Sequence, residues 1–422
     1  MKRFIVALVL VLVACTFVFA EVEPAVRYDD KIDFSFHPAL AKYDGMGKSG
    51  IADSSRMSSF FINPSILGVK KGFAIQVVDF SVTLYNLQRT LSNKQAMQDF
   101  DAMLKGDNDA AMAFATTYME GLGNGRNLIW KGDFGMGVKI GSFGLGTDVQ
   151  IKLHTLNEGT SVASINIIPE LNVAETVALG LKLIDTDAFS FSAGAAVHGI
   201  YKAYFKGIGG SKIINMISGS SDPEKVLLWD TPVMAGIAVP FDLGVTFGLF
   251  NDQLKLAATA NNLNGTYHMK SYSGAGYLVN SVSPGTMPVP TDVPPAKDSV
   301  SFDVVTPWTL NIGIAFTPEI NVVQPVLTAD LVDTIGLFKA MGDGTFRASD
   351  LLLHLNVGAE LGLFDILKAR VGIDRGYLSF GTGIWLPFAQ IDATYGWQEF
   401  GAEIGDKPVD SLTIRISLGY DK

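Results

Sequence analysis

The chain has 422 residues, of which 48% are apolar and only 18% charged, and it holds 44 glycines and a single cysteine. Soluble domains of average composition carry roughly 25% charged residues, so a string of small soluble domains is disfavoured. The formal charge of −10 removes the general basic field that nucleic acid requires, and one cysteine removes a disulfide scaffold.

Lys2 and Arg3 open the chain, an apolar run follows from Phe4, and Val18-Phe19-Ala20 precede Glu21. This order of charge, apolar core and small residue describes a secretory signal peptide over residues 1–20, cleaved after Ala20. An uncleaved anchor helix is disfavoured because Phe4 to Ala20 lies at the short edge of the spanning range. Leu12-Val13-Ala14-Cys15 resembles a lipoprotein box that would leave Cys15 lipidated, but apolar Thr16 to Ala20 would then stand where a polar tether is expected. Loss of the signal removes Cys15 as well, so no disulfide is expected in the exported chain.

Residues 21–70 lack a clean strand pattern and form one N-terminal segment. Gly45, Gly47 and Gly50 within it have the G-x-G-x-x-G spacing of a dinucleotide loop. No strand precedes them and no parallel-sheet unit follows, so no cofactor is expected.

From residue 71 to 422 the recurring signal is period two. Leu145, Val149, Ile151 and Leu153 alternate with Asp148, Gln150, Lys152 and His154. Near the C-terminus Val371 and Ile373 alternate with Arg370 and Asp374, and Ile414 and Ile416 with Arg415. The best helical span, Val233 to Phe250, is interrupted by Pro240 and Asp242. Candidate strands fall at about 72–88, 128–141, 143–156, 163–184, 188–206, 232–248 and 254–268. A second set falls at about 301–316, 321–332, 350–363, 366–374, 377–386, 388–399 and 410–420. The gaps after odd strands include the long ones, whereas those after even strands are tight. Long loops on one side, short turns on the other and an even count predict an antiparallel transmembrane β-barrel of about 14 strands. Trp130, Trp308, Tyr377, Trp385, Tyr395 and Trp397 are read as an aromatic girdle at strand ends.

Two connections stand out. Residues 92–120 read as two amphipathic helices in the first outer loop, with Met97, Phe100 and Met103 on one stripe and Met112, Phe114 and Met119 on the next. These stripes either pack a cap on the rim or offer an adaptable apolar entry for a ligand. Residues 283–298 are proline-rich and read as an extended, mobile loop.

The segment from Gly45 to Ser65 resembles the outer-membrane transport family typified by the long-chain fatty acid transporter FadL. Members carry a glycine-rich stretch and then Asn-Pro-Ala before the first strand. Gly45, Gly47, Gly50 and Asn63-Pro64-Ser65 stand in those places, with Ser65 departing from the family alanine. The resemblance implies that residues 21–70 form a hatch inside a fourteen-stranded barrel in the outer membrane of a diderm bacterium, with outer-membrane lipid around it.

Catalysis is not expected. His37, His154, His198, His268 and His354 show no metal spacing, and no serine stands in a nucleophile context. By alternation the inward face collects Asp148, Lys152, Glu360, Arg370, Asp374 and Arg415, with Asp330, Lys368 and Asp392. These charges either pair across the interior or form a polar path in which Lys152, Arg370 and Arg415 meet an anion. The favoured function is uptake of an apolar or amphipathic small-molecule ligand, such as a long-chain fatty acid, gated by the hatch. The alternatives are a scaffold or secretion-associated barrel that binds a partner protein at its outer loops, and a general porin.

Overall fold

A computed structural model describes the chain except residues 1–40, 124, 158–163, 187, 321–322, 365, 402–403 and 422. The expected signal peptide and the first part of the N-terminal segment lie outside the described residues. One antiparallel sheet runs through the remainder. Its first staves are β1 (Phe73–Tyr85), β2 (Gly125–Ile140), β3 (Phe143–Asn157), β4 (Ile165–Asp185) and β5 (Phe189–Phe205). Three interrupted staves follow: β6 (Val233–Ala238 and Phe241–Leu249), β7 (Leu254–Leu263 and Thr266–Tyr272) and β8 (Ser301–Val305 and Thr309–Phe316). The wall is completed by β9 (Val323–Leu331), β10 (Leu355–Leu363), β11 (Leu367–Asp374), β12 (Tyr377–Leu386), β13 (Ala389–Glu399) and β14 (Pro408–Asp421). β14 pairs back onto β1 from Ala74↔Asp421 to Tyr85↔Ser411, which closes a barrel of fourteen staves. Closure gives every stave a neighbour on each side, as lipid requires because it offers unpaired N–H and C=O groups no partner.

Residue parity decides which side chain enters the lumen. On β3 Gln150 and His154 are buried while Ile151 is 46% exposed. On β11 Lys368, Arg370 and Asp374 are buried while Val371 and Ile373 are exposed. The exposed set repeats around the wall, with Phe80, Phe134, Leu179, Leu243, Phe380 and Ile416 among it, so the outer surface is an apolar band. Tight turns link staves on one side. Gly141, at φ 61, turns β2 into β3, and Phe250 to Asp252 carry positive φ between β6 and β7. On the other side Arg375 and Gly376, both at positive φ, form a two-residue turn of the kind that matches strand twist.

The breaks in β6, β7 and β8 lie side by side. Pro240 and Pro307 cannot donate to a ladder, and Asn262 and Asn264 adopt left-handed backbone between them. Side chains stitch the bend. Asn262 Nδ2 donates to Thr306 O at 3.1 Å and Pro307 O at 3.2 Å, and Asn264 Nδ2 reaches Val239 O at 3.4 Å. Beyond the bend the wall steps down, because β9 pairs with β8 only from Ile312 to Phe316.

The first outer connection holds three helices rather than two: α3 (Leu87–Ser92), α4 (Lys94–Leu104) and α5 (Asn108–Gly121). Asn93 caps α4 by accepting from Gln95 and Ala96 N–H, which splits the run. The later outer loops carry α6 (Gly210–Ile217), α7 (Pro223–Leu228), α8 (Ala275–Val282), α9 (Thr334–Gly342) and α10 (Ala348–His354). Residues 350–354 are therefore helical where the sequence suggested the start of a strand. The proline-rich stretch is held rather than loose: Tyr277 donates to Pro294 O at 2.6 Å, Asn280 brackets Met287, and Lys225 pairs with Asp292 at 2.6 Å.

Candidate functional site

Inside the barrel lies the N-terminal segment, described from α1 (Ala41–Gly45) through a 3-10 turn (Met57–Phe61) to α2 (Ile66–Val69). Its backbone runs against the wall at glycines on both surfaces. Gly47 has φ 64, a conformation that favours glycine, and a Cβ there would strike the backbone of Ile373. Across from it a Cβ on Gly372 would strike Met46 and Gly47, and one on Gly358 would strike Met46 O. At the far end Gly180 and Gly194 face Pro64, and Gly244 faces Asn63. Wall glycines thus form the seat into which the inner segment's main chain fits, and any side chain there would need the two surfaces to part.

Polar groups fix the same contacts. Asp330 Oδ2 accepts from Gly50 N at 2.5 Å and Ile51 N at 3.1 Å, and Gly47 N donates to Ser379 Oγ at 2.9 Å. Lys48 pairs with Asp374 at 2.7 Å. Asn63 accepts from Ser65 N at 3.0 Å through Oδ1 and donates through Nδ2 to Ile51 O at 2.9 Å and Thr246 Oγ1 at 3.2 Å. Ser65 Oγ lies 2.6 Å from Thr246 Oγ1. The hydroxyl at the position where the resembled family carries alanine therefore ties the segment to β6.

Charges run from the inner segment into the wall. Lys42, 3% exposed, bonds Asp53 at 2.6 Å and lies 3.7 Å from Glu360. Arg370 bridges Glu360 and Asp392, each at 2.6 Å, and Arg415 pairs with Asp79. Burial alone would raise the Asp53 carboxyl, but Lys42 and the Ser55 donors hold it below its ordinary value. The Tyr43 phenol is pushed well up by its burial and by Asp53 nearby. Trp385 shares parity with buried Ser379, so it enters the lumen, stacks under Arg56 and donates to Asp392 Oδ1 at 3.1 Å. It is not a girdle residue. Tyr377 has the same parity. Trp308, by contrast, is 45% exposed at the bend of β8.

Farther toward the outer loops the lumen changes character. Ile168, Ile200, Tyr204, Met234, Tyr267 and Met269 form a buried apolar cluster with Phe302. Beside it, with Glu170 opposite Tyr204 in the ladder, Glu170 meets Lys202 at 2.8 Å, His154 at 2.8 Å and Lys152 at 3.5 Å. Glu170 and Lys202 escaped the sequence reading, although the parity of Glu170-x-Asn172 and His198-x-Ile200-x-Lys202 carries them. Lys42 and Asp53 have no such signal, because no regular strand holds them.

The six charges singled out from the sequence divide into separate groups. Glu360, Arg370 and Arg415 join the network beside the inner segment, Asp374 holds Lys48, and Lys152 belongs to the Glu170 group. Asp148 is buried on β3, where its Oδ1 has no hydrogen-bond partner among the described residues. In the first outer loop the two apolar stripes face each other. The rings of Phe100 and Phe114 lie 5.2 Å apart, Met97, Met103 and Met112 are half-buried, and Met119 is buried in a rim cluster with Leu122 and Ile165.

These features define a closed β-barrel whose interior is occupied by its own leading segment. No protein-family model matches the chain, and no curated protein matches it. Among solved structures, the toluene transporter TodX of Pseudomonas putida is 10% identical over 92% of this chain and 99% of its own, with a TM-score of 0.44. The CymD monoaromatic hydrocarbon channel is 11% identical over 90% of this chain and 96% of its own, at 0.45. A FadL homologue of Pseudomonas aeruginosa is 12% identical over 92% of this chain and 100% of its own, at 0.44. The last is by name a relative of the family that Gly45 to Ser65 resembles. The fold itself rests on the closed strand pairing of this chain.

Proposed function

We propose that the protein is an outer-membrane barrel for uptake of hydrophobic or amphipathic small molecules, with the inner segment as a hatch. The observation that carries this reading is the contrast inside one lumen. An apolar cluster around Tyr204, Tyr267 and Phe302 lies toward the outer loops, with Lys152 and Lys202 beside it, and the seated segment lies beyond. An apolar chain would be drawn from water by the first, a carboxylate head would meet the lysines, and passage would follow movement of the second. Long-chain fatty acids fit that polarity and are the ligand class proposed. A general porin is disfavoured because the segment fills the path that water would need.

Uptake of a fluorescent long-chain fatty acid into proteoliposomes tests the reading, with glucose as a polar comparator. Fatty acid uptake above empty vesicles, lost in Lys202→Met and turned into unselective glucose leakage by deletion of residues 45–65, is expected. Glucose passage through the intact chain would instead indicate a porin.

A further inference from the structure

The loop between β9 and β10 presents an apolar outer face beside the step in the wall. α9 reads TIGLFKAMG and holds one charge, Lys339. Its inner side is fixed to the wall at the step beside β8. Thr334 and Leu337 are buried, Thr334 Oγ1 donates to Leu310 O at 2.8 Å, and Asp333 N donates to Asn311 Oδ1 at 2.8 Å. On its other side Phe338 is 62% exposed and Met341 45%, and neighbouring α10 exposes Leu351 and Leu352. By contrast α4 turns Lys94, Gln95, Gln98 and Asp101 outward, with Leu104 at its end the one exposed apolar residue.

Wall height explains the difference. β9, β10 and β11 have 9, 9 and 8 residues, at or below the roughly 9 to 11 that a tilted strand needs to cross a bilayer. β8 continues upward past them, and among the described residues Ser301 to Asn311 have no strand on that edge. The first turn of α9 is bonded to Leu310 and Asn311, just above lipid-facing Ile312 and just below exposed Trp308. The hairpin thus starts at the level where the apolar band of β8 continues and the strands of β9 to β11 run out. An apolar helix at that level covers carbonyls that lipid could not satisfy.

We infer that residues 332–354 are a membrane-seated hairpin, with Phe338, Met341, Leu351 and Leu352 among the acyl chains of the outer leaflet. Its occupant is lipid, and the inference rests on the barrel standing in a membrane. Site-directed spin labels separate the two. In a Cys15→Ser background, Phe338→Cys and Leu351→Cys are labelled in proteoliposomes, with Leu361→Cys as the band reference and Val282→Cys as the loop reference. Collision with oxygen and with a water-soluble nickel chelate is measured at each. The F338C and L351C labels are expected to match L361C within about twofold in their oxygen-to-nickel ratio and to exceed V282C several-fold. A lipid-like L361C label with F338C and L351C labels resembling V282C would overturn the hairpin's seating alone. A water-exposed L361C label would overturn the membrane reading and the inference with it.

Discussion

The two ends of the inner segment are seated on similar glycines but held by different chemistry. Around Gly47 to Asp53 the fixing groups are ionisable: Asp330 on two N–H groups, Asp374 on Lys48, and Lys42 between Asp53 and Glu360. Around Asn63 to Gly68 they are neutral, Thr246 meeting Asn63 and Ser65, with the main chain of Pro64 against Gly180 and Gly194. A buried ion pair costs much to desolvate and much to break, whereas a neutral, close-packed seat answers mainly to shape. The first end is therefore the one that charge can release, and the second behaves as a hinge that only added volume disturbs.

Removing the cation tests this difference most severely. Lys42→Met leaves Asp53 and Glu360 short of a buried partner and should loosen the first end by about 3 kcal/mol, read as protease cleavage near residue 50 with residues 63–68 still protected. Asp330→Ala orphans the N–H groups of Gly50 and Ile51. It should cost about 2–3 kcal/mol and raise ion conductance through purified barrels; unchanged conductance would mean that this carboxylate does not hold the segment shut. Gly194→Val acts on the second end by crowding Pro64, at about 1–3 kcal/mol, and should shift cleavage toward residues 63–68 while Gly47 to Asp53 stay protected.

The smallest effect is expected from pH. Because its folded pKa is depressed, Asp53 stabilises the seat above its ordinary value near 3.8, and that contribution is lost as pH falls through the lower folded value. Protection of the first end should thus fall progressively as pH drops below about 4. In Lys42→Met the sign reverses, since the unpaired buried carboxyl would gain by taking a proton, and acid should restore protection. Equal acid sensitivity at both ends of the segment would remove the distinction drawn between them.

Much of the wall is legible in the sequence alone, and the failures are local. Each of the fourteen staves has its counterpart among the candidate strands, including the three that break. Residues 350–354 were misjudged because Leu351-Leu352-Leu353 is a short apolar run, which fits a strand or a buried helix equally well. Trp385 was assigned to the rim by residue type, yet its parity with Ser379 sends it inward to Arg56 and Asp392. The lumen charges Glu360, Arg370 and Arg415 follow from alternation, but the pairing with Lys42, which meets Glu360, and with Asp79, which meets Arg415, does not.

Alternation with a period of two is written into neighbouring residues, so the sequence by itself determined the stave count, the apolar outer band and the inward set of charges. Several of those inward residues meet chain more than a hundred positions away. That Gly372 receives Gly47, that Asp330 holds the backbone of Gly50, and that α9 covers the step beside β8 were decided only once the barrel had closed around its own N-terminal segment. Local patterning specifies a face, and closure specifies the neighbour.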